Sequence, residues 1–173
     1  MITQQNAETP IGEIPMGRLF APTFFRWASA TATGRLHEVN CEASQDAHAL
    51  DQFDDPSGNR WLVTAVADGA GSALDGGTGA QIAASAFIEA IALLIAEGKM
   101  DDFNIGLKAA VTFARLEIDI VALIAGHDVS HYATTLLGVV TDGNRIGVVQ
   151  VGDGAVVVGP PWRVVHTPDR GEY

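Results

Sequence analysis

The sequence is short of several things, and each shortage excludes something. Its 173 residues include a single cysteine, Cys41. No disulfide can form within the chain, and no zinc site built on several cysteines can exist. Cys41 itself reads as a small, semi-buried hydrophobe, with a reactive thiol as the rarer reading. Positive charge is also scarce: ten Lys and Arg face 21 Asp and Glu, for a formal net charge of -11. Such a surface repels phosphate backbones and anionic lipid, so neither nucleic acid nor a membrane is an expected partner. The surplus of carboxylates suits divalent cations, and it equally suits plain solubility. No N-terminal stretch joins basic residues to an apolar segment, so no signal peptide is read. The longest apolar run, about Ile82 to Ile95, is interrupted by Ser85 and Glu89 and reads as too short and too polar for a bilayer span. Together these absences lead us to expect a cytoplasmic protein.

What is present is a core. Hydrophobic residues make up 47% of the chain, which suits one domain. Residues 1–22 carry three prolines and no sustained period, and read as a flexible leader or an arm that packs late. Residues 23–173 read as the domain. Strands are expected at Phe24–Thr31, Asp46–Phe53 and Arg60–Ala67, with a turn at Asp54–Asn59. The run Arg60–Ala67 is nearly all apolar, which predicts burial on both faces. Two helices follow, at Thr78 to about Ala96 and Asp102 to about Ala125, with Thr78 as the expected cap of the first and Gly98 and Gly126 as stops. Strands return at Tyr132–Thr141, Arg145–Val151, Ala155–Val158 and Trp162–His166, joined by turns at Asp142-Gly143-Asn144 and Gly152-Asp153-Gly154. This order predicts an α+β fold, with two long helices lying on antiparallel sheet.

Several acids stand where strands are expected to start or stop. Asp68 ends a buried strand and runs into Gly69 and Gly71, which let other groups approach the backbone. Asp153 sits between glycines after another strand, and Asp46 stands at the start of a third. Three carboxylates at strand ends suit a hard oxygen-ligand site for Mg²⁺ or Mn²⁺. Each also has a plainer reading. Asp-Gly is a common turn dipeptide, which fits Asp142 best and leaves Asp68 and Asp153 open. Asp46 alone reads as a surface residue.

Three segments resemble the metal-dependent protein phosphatases, the protein phosphatase 2C family. Val66–Phe87, VADGAGSALDGGTGAQIAASAF, is similar to the family's VADGMGG-type strand end, glycine loop and helix. Ala133–Val158, ATTLLGVVTDGNRIGVVQVGDGAVVV, is similar to its GTTL…VGDSR hairpin. Gly34-Arg35-Leu36-His37 with Gln45-Asp46-Ala47 resembles the entry segment of a shorter bacterial branch. The resemblance implies an antiparallel β-sandwich flanked by helices. It implies phosphoprotein as substrate and hydrolysis of phospho-Ser or phospho-Thr by a hydroxide bridging two or three Mn²⁺ or Mg²⁺ ions. On this mapping Asp68 bridges two ions and the Gly69 carbonyl binds one. Asp46 holds metal-bound water in the outer shell, and Asp153 sits near the pair as a ligand of an auxiliary third ion or as a water holder. Arg35 or His37 would bind phosphate, and residues 70–78 would form the rim that meets substrate.

The departures from the family pattern are specific. Gln45 stands where many members have Glu, and Ala70 stands where some have a His after Asp-Gly. Two further metal-binding aspartates of the family would lie beyond Tyr173, so the resemblance implies a chain lacking the last strands of the sandwich. A sheet left open in this way exposes an edge that a homodimer would cover. Two other readings stand beside the enzyme. One is a non-catalytic binding or regulatory module on the same fold. The other is a structural α+β domain whose acids are all turn residues.

Overall fold

The computed structural model describes residues 2–5, 25–32 and 44–165. The expected sites Arg35 and His37, together with Cys41 and the segment 166–173, lie outside the described residues.

A short pair of antiparallel strands comes first: β1, Ile2–Gln5, against β2, Trp27–Ala30. The central element is a four-stranded antiparallel sheet in the order β3 (Asp46–Asp54), β4 (Arg60–Asp68), β5 (Leu136–Thr141), β6 (Ile146–Val151). Two long helices, α1 (Gly76–Ala96) and α2 (Phe103–Ala125), sit between β4 and β5 in sequence. A single 3₁₀ turn, Val129–Tyr132, leads from α2 into β5. A last small pair, β7 (Val157–Val158) and β8 (Arg163–Val164), follows. The fold is therefore α+β, with antiparallel sheet and two helices, as the element order implied.

The helices cover one face of the sheet. α1 lies across β3 and β4, and α2 packs on α1 and reaches β6. Along β4 the residues facing them, Trp61, Val63, Ala65 and Ala67, are buried. Those between them, Leu62 and Thr64, are half-buried, and Val66 is 50% exposed. The expectation of burial on both faces is met on the helical face only, because the described residues place no helix on the other. Phe87, Ile91 and Ile95 of α1 and Val63 and Val140 of the sheet are the largest fully buried side chains. The Phe87 ring seats on Gly138 of β5, where a Cβ would lie 2.3 Å from Cζ. Only glycine leaves room for that ring.

Local chemistry sets the element ends. Asp102 caps α2, its Oδ1 accepting from the N–H groups of Asn104 at 2.9 Å and Ile105 at 3.3 Å. Gly126 closes the same helix at φ 68, in the left-handed region. In the β5–β6 turn, Asp142 Oδ1 accepts from Asn144 and Arg145 N–H, and Gly143 takes a positive φ. Two expectations need correction. α1 starts at Gly76, not Thr78. Asp75 stands at its cap without a side-chain hydrogen bond, and its own N–H donates to the His131 carbonyl at 2.8 Å. The start is thus held by tertiary contact. β5 starts at Leu136, not Tyr132, because Asp128 caps the 3₁₀ turn and Tyr132 is buried within it.

α1 is also long and apolar enough, by length and composition, to cross a membrane, contrary to the sequence reading. Here that apolarity is spent in the core, and over half of its most apolar window is buried inside the fold.

Candidate active site

The acids singled out in the sequence gather at one end of the central sheet. Asp46 opens β3 and Asp68 closes β4, and the two are direct partners in the antiparallel ladder. Gly69 N–H donates to the Gln45 carbonyl at 3.1 Å, so the neighbouring 45/69 pair is hydrogen-bonded. Asp46 and Asp68 therefore form a non-hydrogen-bonded pair, the kind whose Cα atoms come to about 4.5 Å and whose side chains lie closest. Both side chains are exposed. Ser44 Oγ donates to Asp46 Oδ2 at 3.3 Å.

The main chain of Asp68 is clamped from the β5 side. Its N–H donates to Thr135 Oγ1 at 2.9 Å. Its carbonyl accepts from Thr135 N–H at 2.9 Å and from Thr134 Oγ1 at 3.0 Å. One residue on, Gly69 bridges to Thr134, and Ala70 N–H donates to the Ala133 carbonyl. The segment that brings the strand out of the 3₁₀ turn thus fixes the strand end that carries the acid. The glycines make this possible. A Cβ on Gly69 would lie 2.3 Å from the Gly76 carbonyl carbon, and one on Gly79 would lie 2.1 Å from the Tyr132 oxygen. These glycines let the loop, the start of α1 and the 3₁₀ turn touch backbone to backbone.

Asp153 follows β6 in an exposed turn at this same end. Gly152, at φ +95, packs on the Thr135 side chain, which in turn holds Asp68. Among the described residues, no three His, Cys, Asp or Glu side chains gather closely enough to hold a metal ion. Asp46 and Asp68 are brought together as a pair, and Asp153 shares their end of the sheet without closing a cluster of three. Asp142 is the turn residue its sequence suggested, with its carboxylate engaged by Arg145 at 2.9 Å.

A match over most of the chain decides the family. A model of the family described as protein phosphatase 2C matches residues 33–173. The chain belongs to the protein phosphatase 2C family. Comparison with curated proteins and with solved structures returned no match.

Protein phosphatase 2C enzymes generally depend on Mn²⁺ or Mg²⁺, and the opposed Asp46 and Asp68 are two donors of the kind such ions take, short of a full set among the described residues. Two carboxylates opposed in a non-hydrogen-bonded pair repel, and a cation between them relieves that repulsion. The donors are hard oxygens, as Mg²⁺ and Mn²⁺ prefer. The sequence reading did not assign roles to Thr134 and Thr135. Their signal was the similarity of Ala133-Thr134-Thr135-Leu136 to the family's GTTL element; the residue types alone carry no information about a partner 67 residues away.

Proposed function

We propose that the chain is the scaffold of a metal-dependent phosphoprotein phosphatase acting on phospho-Ser or phospho-Thr. The observation that carries this reading is the opposed Asp46–Asp68 pair at the clamped end of the sheet, in a chain of the protein phosphatase 2C family. Asp68 and Asp46 would hold the ion, with the Gly69 carbonyl beside them and Asp153 serving the same end. A divalent ion bound there supplies a Lewis acid for the phosphoryl oxygens and lowers the pKa of water. The chain's own part is orientation. Thr134 and Thr135 fix the main chain of Asp68, so its carboxylate leaves the sheet from a rigid frame, which is the setting that catalytic geometry requires. In the same reading, the uncovered face of the sheet is where the second layer of a sandwich packs.

A second reading has an observation in its favour. A non-catalytic phosphatase-like module fits the lack of a three-acid cluster among the described residues and the presence of Gln45 and Ala70. Phosphate release from a phosphothreonine peptide separates the two. The enzyme reading expects release with Mn²⁺, none with chelator, and at least a hundredfold loss in Asp68→Asn. Peptide binding without release establishes the module instead.

A further inference from the structure

Behind the clamped strand end lies a cavity of about 350 Å³ that the acid site does not use. Its walls are mainly apolar, with Ala83 of α1, Val111 and Ile118 of α2, Leu136 of β5 and Val151 of β6, and Ser130 of the 3₁₀ turn adds a polar group. Among the described residues one cationic group lines it, Arg115 of α2. Arg115 Nε donates to Asp119 Oδ1 at 2.9 Å, an exposed i,i+4 pair. That bond takes Nε and keeps the Asp119 carboxylate beside the guanidinium; an anion at the cavity would have to engage the terminal amino groups, which a planar guanidinium can present bidentately. Thr134 also lines the cavity, and its hydroxyl donates to the Asp68 carbonyl. The cavity and the acid pair therefore lie back to back across one residue.

We propose that this cavity is a binding site for a free aliphatic monocarboxylate of short to medium chain length. Three observations select that class. The walls call for a hydrocarbon body, since they offer it a surface to leave water for. Arg115 calls for a single anionic head beside that body. The volume, about 350 Å³, lies at the small end of the roughly 300–1,000 Å³ typical of small-ligand pockets, which suits a short chain. The site stands apart from the acid pair, so the inference does not rest on the phosphatase reading.

Titration calorimetry with sodium hexanoate, heptanoate and octanoate, each below its micelle concentration, tests the proposal, with octan-1-ol as the uncharged control. Binding should be saturable, with one site per chain. Each added methylene should tighten it about fourfold until the cavity is full. Octan-1-ol should bind at least fivefold more weakly than octanoate. Arg115→Gln, an exposed substitution that keeps the fold, should weaken octanoate to the level of the alcohol. Val111→Phe, which fills the cavity from α2, should abolish binding of both. Should Val111→Phe fail to fold, the chain-length series and Arg115→Gln still decide. Absence of saturable octanoate binding overturns the proposal, as does equal octanoate affinity in Arg115→Gln and the unaltered chain.

Discussion

Asp46 and Asp68 face each other across the first rung of the β3–β4 ladder, while Asp54 and Arg60 close the last rung with an ion pair at 2.9 Å. The same two strands thus bring opposite charges together at one end and like charges at the other. The paired end is conventional: cross-strand partners of opposite sign stabilise a sheet, and directly opposed like charges destabilise it. In the proposed reading the like-charge rung has a use: a divalent ion bound there would offset the opposed charges.

The repulsion gives a first prediction. With chelator present, Asp46→Asn should be as stable as the unaltered chain or more stable, by on the order of 0.5 kcal/mol, because it removes a like-charge pair. Urea denaturation at neutral pH reads this as a higher midpoint at unchanged slope. A clear loss of stability would show that favourable contacts of the Asp46 carboxylate, such as the hydrogen bond from Ser44, outweigh the repulsion.

The clamp gives a second. Thr135→Val keeps the shape of the side chain and removes the oxygen that accepts the Asp68 N–H. Stability should fall by roughly 1–2 kcal/mol, the cost of a lost hydrogen bond that leaves a donor without its partner. Any Mn²⁺-induced rise in melting temperature should fall with it. An unchanged metal response would mean that the clamp does not position the acid.

The third concerns Gly79, which lies inside α1. In an ordinary exposed helix, Gly→Ala stabilises by about 1 kcal/mol. Here the new Cβ would lie 2.1 Å from the Tyr132 carbonyl oxygen. Gly79→Ala should therefore destabilise the protein by 2 kcal/mol or more, on the order seen for overpacked sites. Thermal unfolding decides the sign.

The fourth concerns acid. The hydrogen bond from Arg60 holds the Asp54 carboxyl below its usual value, against the upward push of partial burial. Burial pushes the Asp142 carboxyl up, but the N–H groups of Arg145 and Asn144 and the Arg145 side chain together bring it below the usual value. A carboxyl with a depressed folded pKa adds stability that is fully present above its unfolded value, near pH 4, and is lost as pH falls through the folded one. Stability should therefore drop from about pH 4 downward, and Asp142→Asn should show a shallower drop. Denaturant midpoints between pH 6 and pH 2.5 measure both slopes.

Much of this architecture was legible in the residues, for reasons that stay local. Asp102 and Gly126 bracket α2, and Asp142-Gly143 turns β5 into β6, because caps and turns are made by neighbours in sequence. The errors came where partners are distant. The start of α1 depends on His131, and the start of β5 depends on the 3₁₀ turn and on Asp68. Neither contact leaves a periodic trace. The apolarity of β4 suggested cover on both faces, but an apolar strand reads the same whether its second face is packed or open. Asp46 and Asp68 could each be named from the sequence. That they oppose each other became visible only with the register of the ladder.

The central claim is that Asp46 and Asp68 together hold a divalent ion, and Mn²⁺ titration calorimetry on the chain and on its Asp46→Asn and Asp68→Asn variants tests it most directly. The account predicts saturable binding to the unaltered chain, with a stability gain of roughly 2.7 kcal/mol at a hundred times Kd, and at least a tenfold loss of affinity in each variant. Equal Mn²⁺ affinity in all three proteins, or none in the unaltered chain, would contradict it.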